Sequence, residues 1–329
     1  MMRSNIPTHL YKYKSFSVDS LDLLVSDKLF FANPNSFNDP LDCNPSIKDN
    51  IHDVDVLKDI LKRLIIDNTK KELTEAASKI KYSGPRTLEK IESLGEREAA
   101  QVLSGIDDYL LIFDDNMVFV LNDILDLIKK NLMTNYTSGV LSLAQNYDCP
   151  LMWSHYADQH KGFCIGYDVS ENGFYDIHAL NYEGSRFITT QQVHDMLFGS
   201  SESIRKSAKK AIDEVVLLSK APQWSYEKEH RVILDQGLQD NPFRLSDVTF
   251  GLRFKDSAKF SVMKALSGRG GDLEFYDMVL SNDSFELGRI PLSLENMSFV
   301  IIRLIITGCI KISWISQIPR IFRYTTLCV

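Results

Sequence analysis

The chain has 329 residues, enough to bury a substantial core in one large domain or two smaller ones. With 44% apolar and 25% charged residues it has the composition of a soluble globular protein, which excludes a mainly disordered chain. A formal net charge of −7 excludes broad non-specific attraction to nucleic acid, although a local basic groove stays open.

The five cysteines, Cys43, Cys149, Cys164, Cys309 and Cys328, are scattered and follow no C-x-x-C or Cys/His spacing. This reads as a reduced cytoplasmic protein without structural zinc. Residues 1–9 contain no apolar signal core, so export is not expected.

In chain order, Leu10–Lys14 alternates and is rich in aromatics, as a half-buried strand should be. Ser17 or Asp19 can cap a helix carrying Leu21, Leu23, Leu24 and Val25, and Lys28–Ala32 reads as a second strand. Asn33–Cys43 holds two prolines, three asparagines and two aspartates, which makes a rigid loop whose side chains bond local backbone. Such a loop is either a functional element or a tight corner. From residue 51 to 135 the pattern is helical: Val54, Leu57, Ile60, Leu61, Leu64 and Ile65 recur at three and four residues, as do Val118, Leu121, Ile124, Leu125 and Ile128. Ser83-Gly84-Pro85 interrupts this stretch, which reads as an inserted helical subdomain with solvated charges and no chemistry.

Strand character resumes at Gly139–Ala144. A short helix through Trp153–Ala157 and a buried strand Phe163–Tyr167 follow. His155 and His160 are five apart, not the three or four that would place two metal ligands on one helix face. Trp153 and Tyr156 share a face and either wall an aromatic pocket or pack into the core. Asn181–Glu183 reads as strand, residues 202–220 as helix, Val248–Phe254 as strand, Asp256 as a helix cap and Asp272–Tyr276 as a further strand.

The stretch Trp224–Leu234, taken as one strand, places Glu227, Glu229 and Arg231 on one face. Like charges two apart on a strand repel, so water, Arg231 or a polar ligand must compensate them. The alternatives are a ligand site and a solvated sheet face with an Arg–Glu pair. The tail 296–329 has no acidic residue and dense isoleucine, with apolar runs too short for a membrane span of roughly 20 residues. It reads as a buried element, a docking surface for a partner, or an extension with no fold of its own. The chain thus divides into the first part of an α/β core (1–50), a helical insertion (51–135), the rest of the core (136–292) and the tail (293–329).

Five motif groups in order, Leu10-Tyr11-Lys12-Tyr13, Phe37-Asn38-Asp39-Pro40, Met152–Tyr156 with Gly162–Gly166, Trp224–Arg231, and Phe250–Arg253, resemble the bacterial domain-of-unknown-function family numbered 2971. The resemblance spans about residues 10–292. The opening strand also resembles the first motif of ADP-ribosyltransferases, where Leu-Tyr-His-Gly opens the NAD pocket, and the Glu-x-Glu stretch is similar to their closing motif. That resemblance implies an α+β fold with a mixed or antiparallel ADP-ribosyltransferase-like β core around the helical insertion. It further implies NAD as substrate, with no metal. Glu229 is then the catalytic glutamate and Glu227 its acceptor-orienting partner. Tyr156 stacks on nicotinamide, and Tyr11, Lys12, Tyr13, Asn38, Trp153 and Arg231 complete the NAD contacts. Lys12 stands where many relatives carry histidine, and lysine donates but lacks imidazole's paired donor and acceptor.

The activity implied is that of a toxin-like effector in an anti-phage or toxin–antitoxin system, transferring ADP-ribose to a nucleic acid or protein. An antitoxin or chaperone docking on the tail is the expected partner. A basic groove near Lys12, Lys14, Lys161 and Arg231 would serve a nucleic acid acceptor. Two other classes stay open: a non-catalytic nucleotide- or protein-binding module, and a nuclease or hydrolase in which Asn38-Asp39 and the two glutamates converge on a metal.

Overall fold

The computed structural model describes residues 6–82, 84–112, 117–170, 175–269, 273–295 and 297. Apart from Met297, the tail 296–329 lies outside the described residues. The chain is of mixed α/β class, with a large mixed sheet and several helices. In chain order, β1 (His9–Lys14) leads through α1 (Val18–Ser26) to β2 (Lys28–Phe31), and β3 (Ser46–Lys48) precedes the helices α2 (Val54–Lys79), α3 (Thr87–Ile112) and α4 (Met117–Met133). Then come β4 (Gly139–Ala144), α5 (Pro150–Tyr156), β5 (Phe163–Asp168), β6 (Ile177–Ala179), β7 (Phe187–Thr189), α6 (Thr190–Phe198) and α7 (Glu202–Leu218). They are followed by β8 (Glu229–Leu234), β9 (Gly237–Asp240), β10 (Arg244–Phe250), α8 (Asp256–Leu266), β11 (Glu274–Leu280) and β12 (Leu287–Pro291).

Local chemistry accounts for most of these boundaries. Ser17 and Ser20 bond reciprocally at the start of α1, and Asp53 accepts the first free amides of α2. Thr189 and Gln192 form a capping box on α6, and Ser201 caps α7. Three expected elements differ. Asn181–Glu183 is an Asx turn, with the Glu183 amide on Asn181 Oδ1, and only Asn181 makes a bridge. The strand expected through Phe254 ends at Phe250, because the next amides, of Gly251 and Arg253, bond the carbonyls of Gly162 and His160. Lys255 occupies the cap position of α8, so Asp256 acts from the first turn, where its charge favours the helix N-terminus.

Two compact units emerge, each assembled from separate stretches. The described residues of Met1–Leu10, Asp27–Asn146 and Val169–Pro242 form the first, and those of Tyr11–Ser26, Tyr147–Asp168 and Phe243–Val329 the second. In the first, β8 pairs antiparallel with β4 on one side and β6 on the other. Its helices share one core: Leu57, Ile60, Leu61 and Leu64 of α2, Ile106 of α3 and Ile124, Ile128 and Leu132 of α4 join Val193 of α6 and Ile212 and Val216 of α7. The helical stretch is therefore continuous in packing with elements that follow it by many residues.

In the second unit the strands run in the order β12-β11-β10-β5-β1, with β10 parallel to β11 and antiparallel to β5. Its core is aromatic. Tyr13 sets its ring edge on Trp153, and Phe16, Phe163 and Phe254 pack edge to face.

Ile124 is fully buried between helices, whereas Val118, earlier in the same helix, is 68% exposed. Ile124→Ala should lower stability by about 2–5 kcal/mol and Val118→Ala by less than about 0.5 kcal/mol. Urea denaturation followed by circular dichroism measures both, and equal effects would contradict the packing of α4.

Candidate functional site

The Glu-x-Glu stretch is not one strand. Pro222–Glu227 is a 3-10 turn opened by proline, Lys228 takes a left-handed conformation at φ 43°, and β8 begins only at Glu229. The ladder explains this, because β4 pairs with β8 from Ala144 opposite Glu229 to Gly139 opposite Leu234. The turn still delivers Glu227 to the same place as Glu229. Both carboxylates accept from Lys220 Nζ, Glu227 Oε2 at 2.6 Å and Glu229 Oε2 at 2.7 Å. Glu229 Oε1 accepts from Arg231 Nε at 2.7 Å.

Arg231 is 0% exposed, and Glu227 and Glu229 are 4% exposed each. The solvated sheet face is thus replaced by a buried charge cluster. Asp42 completes it, taking both Nη2 bonds of Arg231 at 2.7 and 2.9 Å and lying 3.5 Å from Lys220 Nζ. Arg231 Nη1 donates to the Leu217 carbonyl at 2.8 Å and to Cys43 Sγ at 3.2 Å, with the Phe37 ring over the guanidinium. Each of the three guanidinium nitrogens thus donates to a protein acceptor. Arg231, expected to contact NAD, is fully buried and engaged with protein at all three nitrogens in this arrangement.

The loop Asn33–Asn44 brings Asp42 in. Asn33 Oδ1 accepts the Asn35 amide and Asp39 Oδ1 the Leu41 amide, which stiffens the loop from within. Asp39 Oδ2 accepts Trp224 Nε1 at 2.7 Å, while the Trp224 face lies 5.3 Å from Lys220 Nζ. The loop is a tight corner that also supplies an ion-pair partner. Asn38 at its tip is exposed. A groove of about 480 Å³ runs between the loop (Phe37, Asp39, Pro40, Asp42, Cys43) and α4 (Asp126, Lys129, Lys130, Met133). The helical stretch, read from sequence as free of chemistry, therefore forms one wall of a groove whose lining includes Asp42.

Burial alone would push the Glu229 carboxyl up, but Arg231 and then Lys220 override it and hold the group well below the usual carboxylate range. Lys220, which burial would lower, is instead held above the usual lysine range by Glu229 and Glu227. Burial pushes the Cys43 thiol up to about 12, so it stays protonated. Tyr182, whose oxygen accepts the Glu229 amide at 2.8 Å, is also pushed up to about 12 by burial.

The other expected contacts belong to the second unit. Tyr11 and Tyr13 alternate onto the buried face of β1, and Lys12 is half-buried. Trp153 is fully buried, donates Nε1 to the Tyr147 carbonyl at 2.8 Å and stacks on His160 at 6.0 Å, so of its two readings core packing is the one realised. Tyr156 is half-buried, with its ring edge on His155. Sequence reasoning missed Asp42, Lys220 and Tyr182. The only signals for them were the Asx-rich loop and a lysine just past the end of α7.

These features define a mixed α/β protein with a buried carboxylate–lysine–arginine centre under a stiff loop. Residues 152–232 match the family described as Protein of unknown function (DUF2971), which bears out the resemblance carried by the motifs over that stretch. The matched stretch contains Lys220, Glu227, Glu229 and Arg231 and leaves Asp42 outside. No curated protein and no solved structure matches the chain.

Glu229 has its folded pKa depressed, so its stabilisation is complete above about pH 5 and is lost as pH falls below about 4.3. Lys220 has its folded pKa raised, so its stabilisation is complete below about pH 10 and is lost only at higher pH. The melting temperature should therefore be level between these limits and fall on the acid side. Arg231→Met should cost about 3–5 kcal/mol, because it leaves Asp42 and Glu229 buried without it. It should also move the acid limb of a melting-temperature profile toward neutral pH, and an unmoved limb would mean that Arg231 does not hold Glu229 ionised.

Proposed function

We propose that the chain transfers ADP-ribose from NAD to a nucleic acid or protein acceptor, with Glu229 as the catalytic carboxylate and Glu227 orienting the acceptor. Its setting in this reading is that of a toxin-like effector in bacterial defence, and its core is ADP-ribosyltransferase-like. The observation that carries the reading is the charge of the buried centre. Asp42, Glu227 and Glu229 against Lys220 and Arg231 give three formal negative charges and two positive, an excess of one negative.

Breaking the bond between nicotinamide and ribose develops positive charge on the sugar. A carboxylate held beside that charge out of water acts mainly on the transition state. Glu229 fits this role because it stays ionised at neutral pH, with Oε1 fixed by Arg231. Its Oε2 is capped by Lys220, which also serves Glu227, so a ribose hydroxyl replacing Lys220 would find an oriented acceptor.

A second reading, a non-catalytic module that binds a nucleotide or protein ligand, is favoured by the closure of the same centre. Both carboxylates are buried and already paired, as a structural cluster requires. Nicotinamide release from labelled NAD, with cellular RNA, DNA or protein as acceptor, separates the two. The wild type should release nicotinamide and label one acceptor class, and Glu229→Gln should lower the rate by about 10²–10³-fold while remaining folded. A folded wild type that binds NAD saturably without release would establish the binding module instead.

A further inference from the structure

Arg289 of β12, in the second unit, is arranged differently from Arg231. Its guanidinium carbon lies 4.1 Å from the ring centre of Tyr147 and 4.0 Å from that of Tyr276, so two aromatic rings cover it. Nη1 donates to Asp247 Oδ1 at 2.7 Å and to Thr249 Oγ1 at 3.2 Å. Among the described residues, Nε and Nη2 have no acceptor. Yet the side chain is only 18% exposed. Arg231, by contrast, spends all three of its nitrogens on protein acceptors.

The rest of the cluster is built around the same pair. β10 and β11 run parallel in a register that sets Asp247 beside Glu274 and Thr249 beside Tyr276, and the Tyr276 hydroxyl donates to Glu274 Oε2 at 2.6 Å. Asp247 is 3% exposed and its Oδ2 takes the Ser246 hydroxyl at 3.0 Å. Gly166, paired with Asp247 across β5 and β10, makes the room, since a Cβ there would sit 2.1 Å from Asp247 Oδ2. Tyr11 sets its ring edge on Tyr147 at 5.5 Å, and burial followed by the Asp247 charge pushes its hydroxyl up to about 12, so it stays a donor at neutral pH.

Covered rings and an engaged Nη1 restrict approach to the in-plane edge formed by Nε and Nη2. That edge is a fork matched to two oxygens of one oxyanion. We propose that the Nε/Nη2 edge of Arg289, between Tyr147 and Tyr276, anchors a binding site for a singly charged oxyanion, the carboxylate or phosphodiester group of a ligand. The single charge follows from Asp247, which already neutralises Arg289 and disfavours a polyanion. This site stands independently of the NAD reading, because all its residues lie in the second unit and its test uses no NAD.

Titration of the full chain with acetate and with dimethyl phosphate, against chloride at equal ionic strength, tests this. The probe is the ¹⁵N-detected Arg289 Nε–H resonance. One of the two anions should shift that resonance saturably, and the tighter of them identifies the group as carboxylate or phosphodiester. Arg289→Lys keeps the charge but lacks the fork, and should bind that anion about tenfold more weakly by calorimetry. Tyr276→Leu, which keeps Arg289 and removes one face, should weaken it as well and serves if Arg289→Lys does not fold. No saturable shift in the folded wild type, or equal affinity in a folded variant, would overturn the site.

Discussion

A guanidinium sealed from water must find protein acceptors for its nitrogens, and the environment of Arg231 is the consequence. Leaving one donor unmade in a dry interior costs more than the completed bond contributes, so the partners have to arrive together. They come from three places: Glu229 of the same strand, Asp42 and Cys43 of the Asx-rich loop, and the carbonyl of Leu217 near the end of α7. The first unit is in this sense closed over one side chain. Its loop, its central strand and its last helix are tied at a point where none can shift without exposing a charge to an apolar interior.

The same constraint shapes the carboxylates. Two glutamates side by side repel, and Lys220 offsets that by donating to both, while Arg231 holds Glu229 ionised. The left-handed Lys228 makes this geometry available, because it swings Glu227 out of the strand period and back toward Glu229. A non-glycine residue in that conformation costs of order 1 kcal/mol, which the ion pairs below it can offset. The catalytic proposal requires Lys220 to yield its place on Glu229 to a ribose hydroxyl, whereas a binding module can leave the centre closed.

The two arginines illustrate a general distinction between structural and receptive charge. Arg231 is buried and engaged with protein at all three nitrogens. Arg289 has its faces occupied and one edge open, in a cluster where a glycine makes room for the neutralising aspartate. Satisfied donors hold a fold together, whereas oriented and unspent donors are what recognition uses.

Much of the local architecture was legible in the sequence. The alternation of Leu10–Lys14, the three-and-four spacing of α2 and α4 and the break at Gly84-Pro85 act over a few residues, where the backbone has few alternatives. The motif groups likewise sufficed for the resemblance that the match over 152–232 bears out. Where a short pattern admitted two answers, ladder partners chose: they began β8 at Glu229 and ended β10 at Phe250. The meeting of charges was beyond any local pattern. Asp42 and Arg231 are 189 residues apart, and the burial that makes their pairing obligatory exists only once the loop has folded over the strand. Periodicity and capping are short-range and so belong to the sequence by itself, while desolvation, which decides what a carboxylate or guanidinium does, is a property of the closed tertiary structure alone.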